Sequence, residues 1–525
     1  MMKRSLSFCM IALLLVFAWV AQNVAQEIPK ETASPKSKTL DSKAKPEASE
    51  PKEESSVTDH KISIDGKSIS YKATASTILL KDDKDLPTAL IYSTAYTRSD
   101  VKDLSRRPIA FIYNGGPGSA SVWLHMGAFG PMRVVTENAA ATPPAPYRIM
   151  DNESTLLDKA DLVFIDPVGT GFSRAVGDAE EKDFWGVDQD VKSLAQFINI
   201  YIGRNNRWNS PKLLIGESYG TFRSVALAEY LQSNDGISIN GMVLISSVLD
   251  MGTLSFSPGD DRSYIFYIPT YAAAAWYYNV LENRPDNLNA FLDDARQFAS
   301  TEYAAALMKG SKLSSNEAAD IAQKLAGFTG LSEDYLIKAN LRVMLPQFQA
   351  ELQRSRGLTI GRYDARFKGE TYDLLTEYAE FDPSFSGILS AFTAAFNSYV
   401  RRDLKFGDNK TYKVLPMEPS QAWDWKHNSG HGSYFPGAPN VEGDLIRALI
   451  ENPYLKVQVE NGIFDMATPF FATEYTMDHL LLTGNARDRI QLNYYKAGHM
   501  MYLHKEDLVK LKINLGGFID SAVNP

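Results

Sequence analysis

The chain has 525 residues, more than one minimal hydrophobic core needs, so we expect a large domain with an insertion or more than one domain. Hydrophobic residues make up 44% and aromatic residues 11%, which is typical of a globular protein and excludes a wholly disordered one. The formal net charge of -9 gives no broad attraction for phosphate backbones, so we expect no nucleic-acid partner.

The first residues have the pattern of an export signal. Lys3 and Arg4 form a positively charged start, residues 9–20 are an apolar run, and small and polar residues follow. We therefore predict a signal peptide over residues 1–26 and a mature protein without stable membrane insertion; an uncleaved membrane anchor is the alternative. The single cysteine, Cys9, lies inside this segment, so the mature protein would have no disulfide. Export without disulfides is typical of the bacterial envelope, which predicts a periplasmic or secreted bacterial protein.

Residues 27–56 consist mainly of Lys, Glu, Pro and Ser and contain almost no apolar side chains. Such a segment cannot bury enough surface to offset the entropy of ordering it. We therefore predict a disordered linker over residues 27–56 and a folded domain that begins at residue 57.

Strand patterns follow in chain order. Asp65-Gly66 between two alternating segments predicts a hairpin, and residues 89–96 continue the β pattern. Short apolar runs predict buried strands at 108–113, 162–165, 213–215, 242–245, 457–459 and 490–494. Helical patterns at 188–201 and 222–231 separate some of these runs. Strands that alternate with helices predict an α/β fold with a mostly parallel central sheet and helices on both faces.

Residues 252–445 break this alternation. Their helix-like periods predict a largely helical cap inserted into the chain, over the carboxyl edge of the sheet. The core would then consist of residues 57–251 and 446–525.

Gly216-Glu217-Ser218-Tyr219-Gly220 follows a short apolar strand and precedes a helical segment. This is the context of a nucleophile elbow, a tight turn that requires small residues on either side of an exposed serine. We therefore predict that Ser218 is a nucleophile and that the Tyr219 N–H points at a developing oxyanion. The alternative is an ordinary glycine turn.

A serine needs a base, and the base needs an acid that orients it. Where the nucleophile stands on such an elbow, the acid and then the histidine follow it along the chain. His499 directly follows a predicted strand and is our predicted base, with His504 as the alternative. Asp465, also just after a strand, is the predicted acid.

The glycine-rich segment 114–118 follows the strand at 108–113. Its glycines allow close backbone approach, so the Gly116 N–H is predicted to pair with the Tyr219 N–H as an oxyanion hole. No Lys-Ser/Thr follows, which excludes a Walker phosphate loop, and we expect no cofactor. His427 and His431 have the spacing of a metal-binding pair on a helix, but the glycines around them disfavour a helix, so no metal site is predicted.

Five segments resemble motifs of the serine carboxypeptidase family of the α/β-hydrolase superfamily and occur in the same order along the chain. The resemblance is to bacterial exported members of that family. The five segments are NGGPGSAS (114–121), DPVGTGFS (166–173), GESYG (216–220), NGIFD (461–465) and GHM (498–500). The resemblance implies the α/β-hydrolase fold and the removal of carboxy-terminal residues from peptides through an acyl-enzyme. Ser218 would attack, His499 would transfer the proton and Asp465 would orient the imidazole.

The resemblance also implies that Asn114, Gly115 and Glu217 bind the terminal carboxylate of the peptide, with Glu217 sharing a proton. Two positions depart from the family pattern: Ala128 stands where a second glutamate is frequent, and Ser119 stands where a disulfide-bonded cysteine is usual. Ala128 leaves esterase or acyltransferase chemistry on the same triad open. A non-catalytic binding protein on a hydrolase scaffold is the third possibility.

Overall fold

The structure is a computed structural model that describes residues 51–428 and 437–524. The predicted signal peptide, the linker up to residue 50 and His431 lie outside these residues. The linker prediction is wrong for residues 53–56. Glu53 accepts a hydrogen bond from the Leu79 N–H and pairs with Arg204, and Glu54 bonds to Thr77 through its backbone, because pairing with the next strand orders these polar residues.

The strands, in chain order, are β1 (Ser55–Ile64), β2 (Lys67–Lys81), β3 (Pro87–Arg98), β4 (Ile109–Tyr113), β5 (Met132–Val134), β6 (Ile149–Asp151), β7 (Asp161–Ile165), β8 (Arg174–Ala175), β9 (Lys212–Glu217), β10 (Gly241–Ile245), β11 (Leu358–Ile360), β12 (Lys368–Glu370), β13 (Lys456–Gly462) and β14 (Ile490–Tyr495). The predicted hairpin is confirmed. Asp65 and Gly66 both have positive φ, 48° and 73°, as a two-residue type I′ turn requires.

The helices are α1 (Val187–Arg204), α2 (Tyr219–Asp235), α3 (Arg262–Tyr277), α4 (Leu288–Phe298), α5 (Ala304–Lys309), α6 (Ser315–Thr329), α7 (Glu333–Lys338), α8 (Leu345–Glu351), α9 (Pro383–Arg402), α10 (Met417–Gln421), α11 (Glu442–Glu451), α12 (Phe470–Asp478) and α13 (Lys505–Val523). In the part of the chain that the structure describes, no helix has the length and hydropathy needed to cross a membrane.

The central sheet has ten strands in the order β1-β2-β3-β7-β4-β9-β10-β13-β14, with β8 paired to β3. From β7 to β14 all neighbours are parallel, whereas β1, β2 and β3 form an antiparallel edge. The predicted mostly parallel sheet is therefore confirmed. The parallel strands all end at one edge, which brings the loops after β4, β9, β13 and β14 together.

Side chains that alternate along the buried strands form a core on each face of the sheet. In β4, Phe111 packs in the cluster that contains α1, α2 and α11, whereas Ile112 packs in the cluster that contains α9 and α13. Helices cover both faces, as the sequence predicts, because each face carries an unbroken apolar surface.

The predicted cap is not one packing unit. Helices α3 to α8 surround a third cluster, in which the rings of Tyr271 and Phe348 stack with centroids 3.9 Å apart. This cluster joins the core through Phe464 and Phe470. In contrast, α9 and α11 pack on the two faces of the sheet. The division of the chain at residues 252 and 445 stays a prediction.

Candidate active site

Ser218 lies in a sharp turn between β9 and α2. Its φ of 61° and ψ of -129° are unusual for a residue with a side chain, and a Cβ on Gly216 would collide with the carbonyl oxygen of Gly220. The Ser218 N–H donates to the Ile245 carbonyl oxygen at 2.9 Å, which fixes the turn to the end of β10. The small residues predicted at this elbow are thus sterically required.

Asp465 and His499 form a buried, hydrogen-bonded pair. His499 Nδ1 lies 2.7 Å from Asp465 Oδ2, and the other carboxylate oxygen accepts from the N–H groups of Ala467 and Thr468 at 2.8 and 3.0 Å. The Thr468 hydroxyl donates to Asp465 Oδ2 at 2.7 Å. These bonds hold the carboxylate in one orientation and assign the proton of the neutral imidazole to Nδ1, which leaves Nε2 able to accept a proton.

The elbow and this pair lie at the same edge of the sheet. Ser246, next to the residue that accepts from the Ser218 N–H, donates its hydroxyl to the His499 carbonyl oxygen at 2.7 Å. Among the described residues the Ser218 hydroxyl has no hydrogen-bond partner, so the serine–histidine bond is not closed in this structure. Such bonds are frequently long in ligand-free enzymes and tighten with substrate.

Burial alone would lower the pKa of His499, but the charge of Asp465 and the hydrogen bond to it raise this pKa above the ordinary value of 6.5. Glu217 adds to the increase, and Arg362 opposes it. The pair of Asp465 and His499 therefore favours the imidazolium, which is the form a general base reaches after it has taken a proton.

Two backbone N–H groups at the elbow and in the glycine-rich loop have no acceptor among the described residues. Within the described residues neither the Gly116 N–H nor the Tyr219 N–H has a hydrogen-bond acceptor; Tyr219 is the first residue of α2, where helix N–H groups are free. A Cβ on Gly115 would lie 2.5 Å from the Tyr219 nitrogen, so the glycine-rich loop approaches the elbow as closely as a backbone can. The loop that carries the Gly116 N–H thus lies directly against the Tyr219 N–H.

Asn114 and Glu217, which the resemblance assigns to carboxylate binding, are also in contact. Asn114 Nδ2 donates to Glu217 Oε1 at 2.9 Å. Tyr502 lies close enough to both residues to interact with them, but its buried hydroxyl and Glu217 Oε2 form no hydrogen bond of good geometry with any described residue. Burial raises the pKa of Glu217 to about 7, against opposing effects of His499, Tyr502 and Asn114. A cluster with two buried unsatisfied polar atoms and a neutral carboxyl can bind an anion that accepts hydrogen bonds.

The remaining motif, 166–173, holds the glycine-rich loop in place. Asp166 Oδ1 accepts from the Ser121 N–H at 2.8 Å, and burial raises the pKa of this carboxyl to about 7. Arg223, fully buried in α2, donates to the Asn114 carbonyl oxygen at 2.6 Å and pairs with Asp190. Arg223 therefore connects the glycine-rich loop, the elbow helix α2 and α1 below the site.

Ser119 and Ala128 depart from the family pattern, and an aromatic side chain with a polar group lies near each of them. The hydroxyl of Ser119 accepts from the Trp123 indole N–H at 3.0 Å. Ala128 is fully buried, and a Cβ on the preceding Gly127 would lie 2.6 Å from the Tyr502 ring. The ring of Tyr502 thus packs against Gly127, next to Ala128 in the chain, and its hydroxyl lies near Glu217.

Sequence reasoning missed three residues at this site: Tyr502, Tyr363 and Arg362. Tyr502 follows the predicted base by three residues, and this proximity was the one signal for it. Tyr363 accepts from the His499 N–H at 2.6 Å through its carbonyl oxygen, and the two rings lie 5.1 Å apart. It comes from the cap, where the sequence has no motif.

The other candidate histidines have different surroundings. His504, the alternative base, pairs with Glu506 and Asp507 at the start of α13. His427 bridges Asp188 and Asp444, and despite burial these two carboxylates raise its pKa to about 9. Over residues 51–428 and 437–524, no three His, Cys, Asp or Glu side chains have the geometry of a metal site.

Comparisons with known proteins find relatives of one family. Residues 83–257 match the family model described as serine carboxypeptidase. The pheromone-processing carboxypeptidase KEX1 of Saccharomyces cerevisiae (strain ATCC 204508 / S288c) is 30% identical over 145 residues, which are 26% of this chain and 19% of that protein. Its namesake from Yarrowia lipolytica is 25% identical over 150 residues, which are 28% of this chain and 23% of that protein. The chain thus spans about a fifth of the length of these curated relatives.

A solved structure extends the likeness over the whole fold. The crystal structure of Kex1(Δ)p, a prohormone-processing carboxypeptidase from Saccharomyces cerevisiae, has a TM-score of 0.53 at 18% identity and covers 86% of this chain and 91% of that chain. With its large, mostly parallel sheet between helices, the protein has the α/β-hydrolase fold. Residues 83–257, which include the glycine-rich loop and the serine elbow, are thus similar to the serine carboxypeptidase family.

Proposed function

We propose that the protein is a serine carboxypeptidase that removes carboxy-terminal residues from peptides through an acyl-enzyme. Ser218 Oγ attacks the carbonyl carbon of the last peptide bond while its proton passes to His499 Nε2. Asp465 keeps the imidazole oriented through the 2.7 Å bond to Nδ1 and stabilises the imidazolium. The N–H groups of Gly116 and Tyr219 stabilise the oxyanion of the tetrahedral intermediate.

The intermediate collapses when the carbon–nitrogen bond breaks and His499 gives its proton to the leaving amino group. The terminal amino acid departs and the rest of the peptide stays esterified to Ser218. Water then attacks this ester, again with His499 as base, and the peptide leaves shortened by one residue.

The observation that carries the proposal is the buried cluster of Asn114, Glu217 and Tyr502 beside the elbow. Glu217 Oε2 and the Tyr502 hydroxyl have no partner among the described residues, although buried polar groups are normally satisfied. A carboxylate of the substrate would accept from both a protonated Glu217 and Tyr502. An esterase or acyltransferase acting on the same serine needs no such cluster, and a non-catalytic binding protein needs no oriented Asp465–His499 pair.

Gly115 completes the carboxylate site in this proposal. Its backbone lies against the elbow, and its N–H, like that of Gly116, has no acceptor among the described residues. We further propose export through cleavage of residues 1–26, to a bacterial periplasm or the medium, which rests on the apolar run at 9–20 and the absence of cysteine after Cys9.

Competitive labelling tests the proposal. A fluorophosphonate probe should label wild-type protein at Ser218 and fail to label Ser218→Ala. A blocked dipeptide with a free terminal carboxylate should slow this labelling, whereas the same dipeptide amidated at its carboxyl end should slow it far less. Equal protection by acid and amide would favour the esterase or acyltransferase alternative, and labelling of Ser218→Ala would place the nucleophile elsewhere.

A further inference from the structure

A cap segment between β11 and β12 is attached directly to the catalytic loops. The Met466 N–H, one residue after the proposed acid, donates to the Arg362 carbonyl oxygen at 3.1 Å. The His499 N–H donates to the carbonyl oxygen of Tyr363 at 2.6 Å. Asp382 accepts from the Arg362 N–H at 3.0 Å on the other side. The backbone of Arg362 is therefore fixed beside the site by two hydrogen bonds.

The guanidinium of Arg362 is exposed and unpaired. Among the described residues, no carboxylate lies within 4.0 Å of it and none accepts a hydrogen bond from it; its close neighbour is the Tyr363 ring, 5.3 Å from Cζ to the centroid. Other arginines of the cap have carboxylate partners. These are Arg262, Arg296, Arg342, Arg354 and Arg366. Unlike these five arginines, Arg362 forms no close ion pair within the described part of the chain, and Asp382 and Asp465 act on it only from a longer distance.

The charge of Arg362 acts on the groups of the active site. Burial raises the pKa of Tyr267, and the charge of Arg362 is the main effect that opposes this increase. Arg362 likewise opposes the increase that Asp465 causes in the pKa of His499. Geometry agrees with this proximity: the guanidinium lies over the Tyr363 ring, and that ring lies 5.1 Å from the ring of His499.

We propose that Arg362 binds a carboxylate of the peptide substrate. This inference rests on the proposed carboxypeptidase function and deepens it. A guanidinium binds a carboxylate through two parallel hydrogen bonds, and a fixed backbone reduces the ordering cost of that contact. The carboxylate has two possible sources: the side chain of an Asp or Glu beside the scissile bond, or the peptide terminus itself.

Binding measurements on a protein that cannot turn over separate the two sources. The background is Ser218→Ala, and the ligands are four blocked dipeptides: neutral and Glu-containing sequences, each as free acid and as terminal amide. Arg362→Gln is compared with Arg362→Lys, which keeps the charge, and with Arg356→Gln. Arg356 is an exposed cap arginine whose guanidinium donates to Gln353, so its replacement is a matched control.

Arg362→Gln should weaken binding of the carboxylate-bearing ligands by about ten- to a hundredfold, the range for a charge-assisted hydrogen bond. Arg362→Lys should lose less, and Arg356→Gln should change nothing. A loss confined to both Glu-containing peptides identifies the side chain as the source, whereas a loss confined to both free acids identifies the terminus. No loss, equal loss for the neutral amide, or no binding of any peptide would overturn the proposal.

Thermal unfolding of each variant, compared with Ser218→Ala, distinguishes lost binding from lost folding. Turnover of the neutral free acid by wild-type protein reports separately on the proposed function. Peptide binding that depends on Arg362, without any hydrolysis by wild type, would refute the carboxypeptidase proposal and leave the binding result intact.

Discussion

Replacement of Glu217 by glutamine tests the carboxylate cluster through its pH dependence. Burial raises the pKa of Glu217 from 4.5 to about 7, so the side chain is protonated in acid and can donate to a substrate carboxylate. One pH unit above that pKa, the protonated fraction has fallen about tenfold, and KM for free-acid peptides should have risen about tenfold with it. In Glu217→Gln the amide donates at every pH, so KM should stay flat.

The same shift predicts a stability effect with a defined sign. Below pH 4.5 the carboxyl is protonated in both folded and unfolded protein, so it does not lower the free energy of unfolding. As pH rises from 4.5 to about 7, the unfolded chain ionises first, and the folded state loses stability relative to it. At about 1.4 kcal/mol for each pH unit, the loss reaches about 3 kcal/mol above pH 7. Glu217→Gln should lack this loss.

The assay is KM for a free-acid dipeptide and its amide between pH 5.5 and 8.5, with urea unfolding at the ends of that range. Titration of His499 lowers kcat in acid for both substrates, so the ratio of the two KM values isolates Glu217. If the ratio follows the same pH profile in wild type and Glu217→Gln, Glu217 does not bind the terminal carboxylate and the reasoning fails.

Three further outcomes are expected. His499→Ala should lower kcat/KM for peptide hydrolysis by several orders of magnitude, and Asp465→Asn should lower it less, because the acid orients the base and transfers no proton; equal losses would contradict these roles. Tyr502→Phe should raise KM for free-acid peptides about tenfold and leave amide or ester substrates unaffected, since one hydrogen bond to a charged group is lost. In calorimetry, deletion of residues 27–50 should leave the Tm unchanged, whereas deletion of 27–56 should lower it, because the longer deletion removes the start of β1.

The sequence predicted the sheet and the elbow well because local patterns determine both. Apolar runs bounded by glycine-rich loops specify buried parallel strands, and the turn at Ser218 tolerates only small residues at Gly216 and Gly220. The candidate acid and base could be assigned because each directly follows a strand, and parallel strands end at the same edge.

Tyr502 and Arg362 could not be predicted because long-range packing determines their roles. Tyr502 reaches Glu217 only through the space that Gly127 leaves open, a contact between distant parts of the chain. Arg362 lies in a cap without motifs and becomes part of the site because its carbonyl oxygen accepts from the Met466 N–H and that of the next residue, Tyr363, accepts from the His499 N–H. The linker end was misplaced for a similar reason, since Glu53 is ordered by Arg204 and not by burial of apolar surface.

Mass spectrometry of peptide products shows whether the protein removes residues from the carboxyl end. Purified wild-type protein is incubated with one peptide in two forms, with a free carboxyl terminus and with a terminal amide. We expect stepwise loss of single residues from the carboxyl end of the free acid, little cleavage of the amide, and no product with Ser218→Ala. Equal cleavage of both forms, cleavage at internal bonds, or full activity of Ser218→Ala would contradict it.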